Sequence, residues 1–355
     1  MSVARVPNKE FMALASMEQL QEFIKASNDS SYRAAQILSW VVKKWIVNPA
    51  NMSNLPAKTR DALAAAFLCD TVSIEKEEES QEGSKKLLLK LSDGETVECA
   101  VIPSPGRSTF CLSTQVGCPV CCAFCASGAH GLVRSLKAGE IVEQFLLATR
   151  LCGEMPDNVV IMGVGEPMLN YDNTIRALER ICDPDGIALA ARRVTISTSG
   201  WTQGIRKLTA LGRQWNLAVS LHAPDDKTRA MIIPDQFRRP IDEIIDACLE
   251  HREATGRMLT LEYVLLRDFN DNPEQAAKLA KIAKRAMAKV NLIPYNKAKG
   301  AFIRPSADTI KRFENTLKSA GVVVTTRVEK GSGANAACGQ LRASSAEDAE
   351  KRRKA

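Results

Sequence analysis

The sequence predicts an α/β fold built on a largely parallel sheet, and two observations predict it. Beyond residue 158, short apolar runs alternate with amphipathic stretches of helical period. Such alternation implies parallel strands joined by helical crossovers, in a barrel or a doubly wound sheet. The residues able to carry chemistry fall directly after the apolar runs, where strand ends converge in both architectures. The predicted strands are 159–162, 194–196, 217–221, 259–265, 290–293 and 322–325, and the predicted helices are 141–150, 174–181, 205–211, 241–251, 274–286 and 309–320.

Upstream of this alternation the pattern differs. Residues 1–70 read as a small helical unit. Ser16 and Gln19 form a capping-box pair ahead of Leu20, Phe23 and Ile24. Ala34, Ile37, Leu38, Val41, Val42 and Trp45 recur at the helical period, and Pro56 can start a third helix. Residues 71–104 read as a strand pair about an Asp93-Gly94 turn, with 87–91 and 97–102 as its arms. A further strand, 109–113, delivers a cysteine-rich loop. Residues 344–355 are small and charged and read as a disordered tail.

The chain has 355 residues, 45% hydrophobic and 25% charged, enough to bury a sizeable core. No apolar run reaches eighteen residues, so no membrane-spanning helix is expected. The opening stretch lacks the apolar core of a signal peptide, and eleven irregularly spaced cysteines suit a reducing cytoplasm, where thiols serve metals or catalysis. The net charge of +7 is compatible with a polyanionic partner such as RNA, but charges of both signs are interspersed and the only dense basic run is 351–354.

Five of the eleven cysteines lie between Cys111 and Cys125. Cys118, Cys122 and Cys125 make a C-x3-C-x2-C pattern suited to three corners of a [4Fe–4S] cluster, leaving one iron open. A zinc site would want four ligands and a second knuckle, which the sequence lacks. Cys121 offers an alternative register, and Cys122 is preferred because it places Phe124 between the last two ligands. Cys69, Cys99, Cys152, Cys182 and Cys248 have no partners in sequence and read as buried thiols.

The cysteine pattern with its aromatic residue, followed by Gly163-Val164-Gly165-Glu166-Pro167, resembles the radical S-adenosylmethionine (SAM) superfamily. More specifically, Cys111-x6-Cys118, Met162 to Pro167, Ser197-Thr198-Ser199-Gly200, Ser220-Leu221-His222, the run Asn291 to Asn296 and the run Ala336 to Leu341 around Cys338 resemble the RlmN/Cfr family of RNA methyltransferases. Gln36-Ile37-Leu38-x-Trp40 extends the likeness into the N-terminal unit.

This resemblance implies a partial (β/α)6 barrel over 105–343, with a catalytic-cysteine loop at its C-terminal end. It implies that the helical domain 1–70 docks RNA and that the hairpin extension 71–104 carries a general base, Glu98. Cys118, Cys122 and Cys125 would hold a [4Fe–4S] cluster, and Gly165, Glu166, Ser197, Ser220, Leu221, His222 and Asn296 would bind SAM, two molecules per turnover. One SAM would methylate Cys338, and the second would supply a radical that removes a hydrogen from that S-methyl group. The carbon then adds to C2 of an adenine in 23S rRNA or tRNA, Glu98 takes the C2 proton, and Cys111 attacks Cys338 to release the product and leave a disulfide. A flavodoxin-type electron donor, a monomeric state and no membrane partner are further implications. On Glu98, the residues alone offer a solvated strand carboxylate as a strong rival, since Glu95 is nearby. Three rival readings are a C8-specific methyltransferase with the same apparatus, a diverged paralogue with another RNA target, and a non-catalytic, metal-stapled RNA-binding module. Before Cys338 the family carries an acidic segment, where this chain has Gly331-Ser332-Gly333-Ala334-Asn335.

Overall fold

The computed structural model describes residues 9–296 and 302–327. Its N-terminal unit is held by local signals that the sequence carries. In α1 (Met17–Ala26), the Ser16 hydroxyl accepts the Gln19 N–H while the Gln19 side chain takes the Ser16 N–H, as the capping pair predicts. Helix α2 (Arg33–Lys43) buries Ala34, Ile37, Leu38, Trp40 and Val41, and α3 (Ala57–Ala66) starts directly after Pro56. A short parallel pair, β1 (Glu10–Phe11) with β2 (Phe67–Leu68), closes the unit. Its docking on the barrel is apolar and polar at once. Phe11 covers Gly139, where a Cβ would meet the ring at 2.0 Å, and Arg180 donates to the carbonyls of Ala13 and Ala15.

The next segment contributes three strands, not the two that the Asp-Gly turn suggested: β3 (Val72–Glu79), β4 (Lys85–Leu91) and β5 (Thr96–Ser104). They pair antiparallel and continue, through an antiparallel β5–β6 ladder, into β6 (Arg107–Cys111). The extension is therefore continuous with the main sheet. Among the described residues a small antiparallel pair follows, β7 (Gln115–Gly117) with β8 (Leu132–Ser135), bracketing the cysteine loop.

From β6 onward the sheet is parallel. Helix α4 (Ala138–Cys152) leads to β9 (Asn158–Ile161), α5 (Tyr171–Cys182) to β10 (Val194–Thr198), and α6 (Thr202–Ala210) to β11 (Asn216–Ser220). A short α7 (Asp226–Ala230) and α8 (Ile241–Thr255) precede β12 (Leu259–Leu265), α9 (Pro273–Arg285) precedes β13 (Ala288–Pro294), and α10 (Ala307–Ser319) precedes β14 (Val324–Thr326). Neighbours follow chain order, β6-β9-β10-β11-β12-β13-β14, with no reversal. A doubly wound sheet reverses at a switch point, so this order decides for the barrel. Among the described residues the barrel is open: β14 ends one edge of the sheet and β3 the other.

The two faces differ in chemistry. Phe110, Val159, Ile161, Val194, Ile196, Leu217, Val219 and Leu261 join the main core under the helices, and Phe110 lies 6.0 Å, centroid to centroid, from Phe145 of α4. Burial of each such side chain contributes on the order of 2 kcal/mol. Alternation then turns the intervening residues, Cys111, Ser197, Ser220, Glu262 and Asn291 among them, toward the barrel interior. No helix among the described residues is long and apolar enough to cross a membrane.

Candidate active site

The cysteine loop begins at a glycine that geometry requires. Gly117 has φ +78°, and a Cβ there would lie 1.9 Å from the Gly131 carbonyl oxygen, which accepts the Cys118 N–H at 3.0 Å. Gly117→Ala is expected to destabilise the fold by about 1–3 kcal/mol from backbone strain alone, before the clash is counted. Chemical denaturation followed by circular dichroism checks this, and an unchanged midpoint would contradict it.

Within the loop, the Cys125 N–H donates to Cys122 O and the Ala123 N–H to Ile232 O, both at 3.0 Å. The thiols of Cys118, Cys122 and Cys125 lie within electrostatic reach of one another, and those of Cys118 and Cys122 also of Glu166. Burial pushes Cys118 up to about 12 and Cys122 well above the ordinary thiol value. Cys121 differs. It takes a left-handed backbone, φ +52°, its side chain is exposed, and its Sγ lies 3.4 Å from Cys118 O. An apolar cluster of Val120, Ile232, Ile233, Val264, Leu266 and Tyr295 packs with Cys118, Cys122 and Phe124, so the loop is partly dry. Among the described residues no three His, Cys, Asp or Glu side chains gather as around a single ion. A four-iron cluster asks for something else: thiolates spread around its volume, each binding its own iron, and the three-cysteine loop fits that demand.

The strand ends converge on this loop. Gly165 has φ +116° and its Cβ would meet Thr114 Oγ1 at 2.7 Å, so the turn after β9 admits only glycine. Glu166 is 3% exposed. Its Oε1 accepts the Met168 N–H at 3.0 Å and its Oε2 the Ser199 N–H at 2.7 Å, so the carboxylate joins the turns after β9 and β10. Burial raises its pKa against these hydrogen bonds. Ser197 and Ser220 approach each other, with their hydroxyls 3.4 Å apart. His222 is buried, with φ +60°, and its ring lies edge-on to Phe124 at 4.8 Å. Its Nδ1 accepts the Val264 N–H at 3.1 Å, which places the proton on Nε2 and leaves that N–H for a ligand. Burial, with Arg229 adding to it, holds the imidazole down at about 3, so it is neutral at physiological pH.

Two expected contacts are constrained. Leu221 faces the main core, its N–H donates to Glu262 O and its carbonyl accepts from Arg229, so only a remaining carbonyl lone pair is open to a ligand. Asn296 Oδ1 accepts Arg304 Nη1 at 2.9 Å.

Glu98 and Cys111 share a face. Ala100 on β5 pairs with Cys111 on β6, so Glu98, two residues away, is a diagonal same-side neighbour, about 7–8 Å off by strand geometry. Glu98 is 6% exposed, which overturns the reading of a solvated strand carboxylate. Cys338, with its surrounding glycines and the 344–355 tail, lies outside the described residues. Of the five cysteines read as buried, Cys99 and Cys248 are buried, whereas Cys69, Cys152 and Cys182 are only half-buried.

Sequence reasoning named Ser220 and the run from Asn291 but missed Glu262, Thr325 and the polar row that the four form across the barrel interior. Ser220, Glu262, Asn291 and Thr325 stand in register on β11 to β14, with Asn291 donating to Glu262 at 2.7 Å and Thr325 to Asn291 at 2.9 Å. Their signal was a polar residue within each otherwise apolar run.

Comparison with known proteins agrees with this geometry. The family model of the radical SAM superfamily matches residues 112–280, and that of the ribosomal RNA large subunit methyltransferase N-terminal domain matches 13–68. A relative from Akkermansia muciniphila, named "Probable dual-specificity RNA methyltransferase RlmN", is 43% identical over 334 residues, 92% of this chain and 93% of its own. A relative of the same name from Rhodopirellula baltica is 40% identical over 339 residues, 95% of this chain and 91% of its own. The crystal structure of a radical SAM methyltransferase from Sphaerobacter thermophilus superposes with a TM-score of 0.89 at 39% identity, covering 94% of this chain and 99% of that one.

Proposed function

Since the chain belongs to the RlmN family of radical SAM RNA methyltransferases, which use a [4Fe–4S] cluster and SAM, we propose that it methylates C2 of adenine in 23S rRNA and in tRNA. The observation that carries this reading is the placement of Cys111 and Glu98 on one interior face, directly ahead of the loop that bears Cys118, Cys122 and Cys125.

In this reading Cys118, Cys122 and Cys125 hold the cluster, and Gly165, Glu166, Ser197, Ser220, Leu221, His222 and Asn296 surround SAM. When bound, these groups would supply the methyl group, the electron that generates the carbon radical, and the acceptor for the one electron that the RNA adduct gives up on losing its C2 proton. Adenine C2 lies between two ring nitrogens and is a poor nucleophile, so direct methyl displacement is closed to it. The chain's own residues do the rest. Cys338 carries the methyl carbon to C2, Glu98 accepts the C2 proton, and the Cys111 thiolate attacks the Cys338 sulfur. The electron pair of the carbon–sulfur bond passes to carbon, which takes up a proton and leaves as the methyl group of RNA, with a Cys111–Cys338 disulfide left behind. Cα atoms within about 7 Å are needed for that bond. The apolar cluster beside the cysteines supports the exclusion of water from reactive carbon.

The N-terminal unit supports RNA docking by pairing aromatic and basic groups. Arg33 lies 4.9 Å from the ring centre of the exposed Tyr32, and the exposed Lys44, at the other end of α2, has its Nζ 3.6 Å from that of the buried Trp40. We assign this role to 1–70, the base to 71–104 and the chemistry to 105–343, in a monomeric cytoplasmic enzyme served by a flavodoxin-type donor.

Glu98→Gln is expected to lower the methylation rate about 10²–10⁴-fold while iron content and SAM cleavage persist. Digestion of the treated RNA to nucleosides, with chromatographic separation of 2-methyl- from 8-methyladenosine, reads both rate and position. An 8-methyl product would support the C8 alternative and overturn the proposal.

A further inference from the structure

Arg229, in α7, is fully buried, yet no carboxylate among the described residues forms an ion pair with it. Its guanidinium donates instead to three backbone carbonyls on separate segments: Nε to Leu221 O at 3.2 Å, Nη1 to Arg239 O at 3.0 Å, and Nη2 to Ser199 O. Ser199 follows β10 and Leu221 follows β11, so one fork ties together two turns at the barrel mouth. The Ser199 residue is held from both sides, because Glu166 takes its N–H at 2.7 Å. The carbonyl of Arg229 accepts the N–H groups of Ile232 and Ile233, and Ile232 O accepts the Ala123 N–H of the cysteine loop. Helix α7 and the cysteine loop are thus one hydrogen-bonded unit, with Arg229 and Cys122 in electrostatic contact.

A clamp on three carbonyls does not require a charge. A cation buried without a counter-ion costs several kcal/mol unless something nearby offsets it. Within electrostatic reach of it lie Cys122 and Asp226. Asp226 already accepts the Ile241 N–H, so the larger offset comes from Cys122 with the other loop thiols, provided they carry the cluster, and the inference rests on that reading. We propose that Arg229 is a positioning residue with two tasks: its fork holds the Ser197–Gly200 and Ser220–His222 turns in place for SAM, and its charge favours reduction of the cluster on Cys118, Cys122 and Cys125. A two-plus core held by three thiolates carries one net negative charge, and one electron from an external one-electron donor makes it two. A fixed cation beside Cys122 stabilises the more negative state, and no proton moves.

Arg229→Met and Arg229→Lys separate the tasks. Each variant and the parent are reconstituted anaerobically with iron and sulfide, and cluster reduction is followed by electron paramagnetic resonance at fixed potentials without SAM. SAM affinity is measured separately by equilibrium dialysis. Arg229→Met is expected to shift the reduction equilibrium at least tenfold toward the oxidised form, about 59 mV for a one-electron couple, and to weaken SAM binding. Arg229→Lys is expected to keep the parent's reduction equilibrium yet bind SAM more weakly, since one ammonium cannot reach three carbonyls at once. An Arg229→Met cluster that reduces like the parent's overturns the proposal, as does an Arg229→Lys cluster displaced as far as that of Arg229→Met. Should Arg229→Met fail to fold by circular dichroism, Arg229→Lys decides alone: parent-like reduction with weakened SAM binding supports the proposal, and any other combination overturns it. Failure of the underlying cluster reading looks different, because the parent itself would then show no four-iron signal.

Discussion

Cys122→Ala is expected to abolish cluster retention, and Cys121→Ala to leave it intact, in protein reconstituted anaerobically and assayed for iron and sulfide. The two cysteines are adjacent in sequence and opposite in placement. Cys122 packs in the apolar cluster, within electrostatic reach of Cys118 and Cys125. Cys121 is exposed, its left-handed backbone turning its Sγ back to the Cys118 carbonyl. Loss of one of three thiolates leaves a second iron without a protein ligand, so the effect should be near-complete. Exposure adds a second observable. In cluster-free protein, Cys121 should alkylate with iodoacetamide well before Cys118 or Cys122, whose thiols burial then holds in the protonated form. Loss of iron on Cys121→Ala, with Cys122→Ala retaining it, would reverse the assignment.

Cys111→Ala is expected to stop the reaction after carbon–carbon bond formation, with RNA tethered to the protein through Cys338. Cys111 ends β6 on the interior face, next to the Glu98 diagonal and seven residues before Cys118. Without its thiol nothing attacks the Cys338 sulfur, so turnover should fall below one methyl per chain. Denaturing gel electrophoresis with labelled RNA would show a covalent adduct that Cys338→Ala abolishes. Free methylated RNA released over many turnovers by Cys111→Ala would contradict this assignment.

Much of the barrel was legible because parallel strands are buried on both faces and read as apolar runs. The runs found at 159–162, 194–196, 217–221, 259–265 and 290–293 match β9 to β13 to within two residues at either end, and 322–325 overlaps β14. β3 was hidden for the opposite reason. It is an edge strand of Ser73, Ile74, Glu75, Lys76 and Glu77 to Glu79, charged and largely exposed, as edges that resist pairing with other chains are. The choice between barrel and doubly wound sheet needed the strand order, which periodicity does not encode. At the site, the motif residues were visible but their division of labour was not. Glu166 reads as a ligand carboxylate and also bridges two backbone turns. Arg229 sits in Asp225-Asp226-Lys227-Thr228-Arg229, which looks like a solvated helix start, and only tertiary packing buries it.

The central claim is that the methyl carbon reaches RNA by way of Cys338, losing one of its hydrogens on the route. The most direct test supplies SAM with a trideuterated methyl group to the reconstituted enzyme, starting from Cys338 free of unlabelled methyl, and measures the mass of the methyladenosine released from RNA. Two deuterium atoms in the product, with the third recovered in 5′-deoxyadenosine, are predicted. Three deuterium atoms arriving together would mean direct transfer of an intact methyl group and would contradict the account.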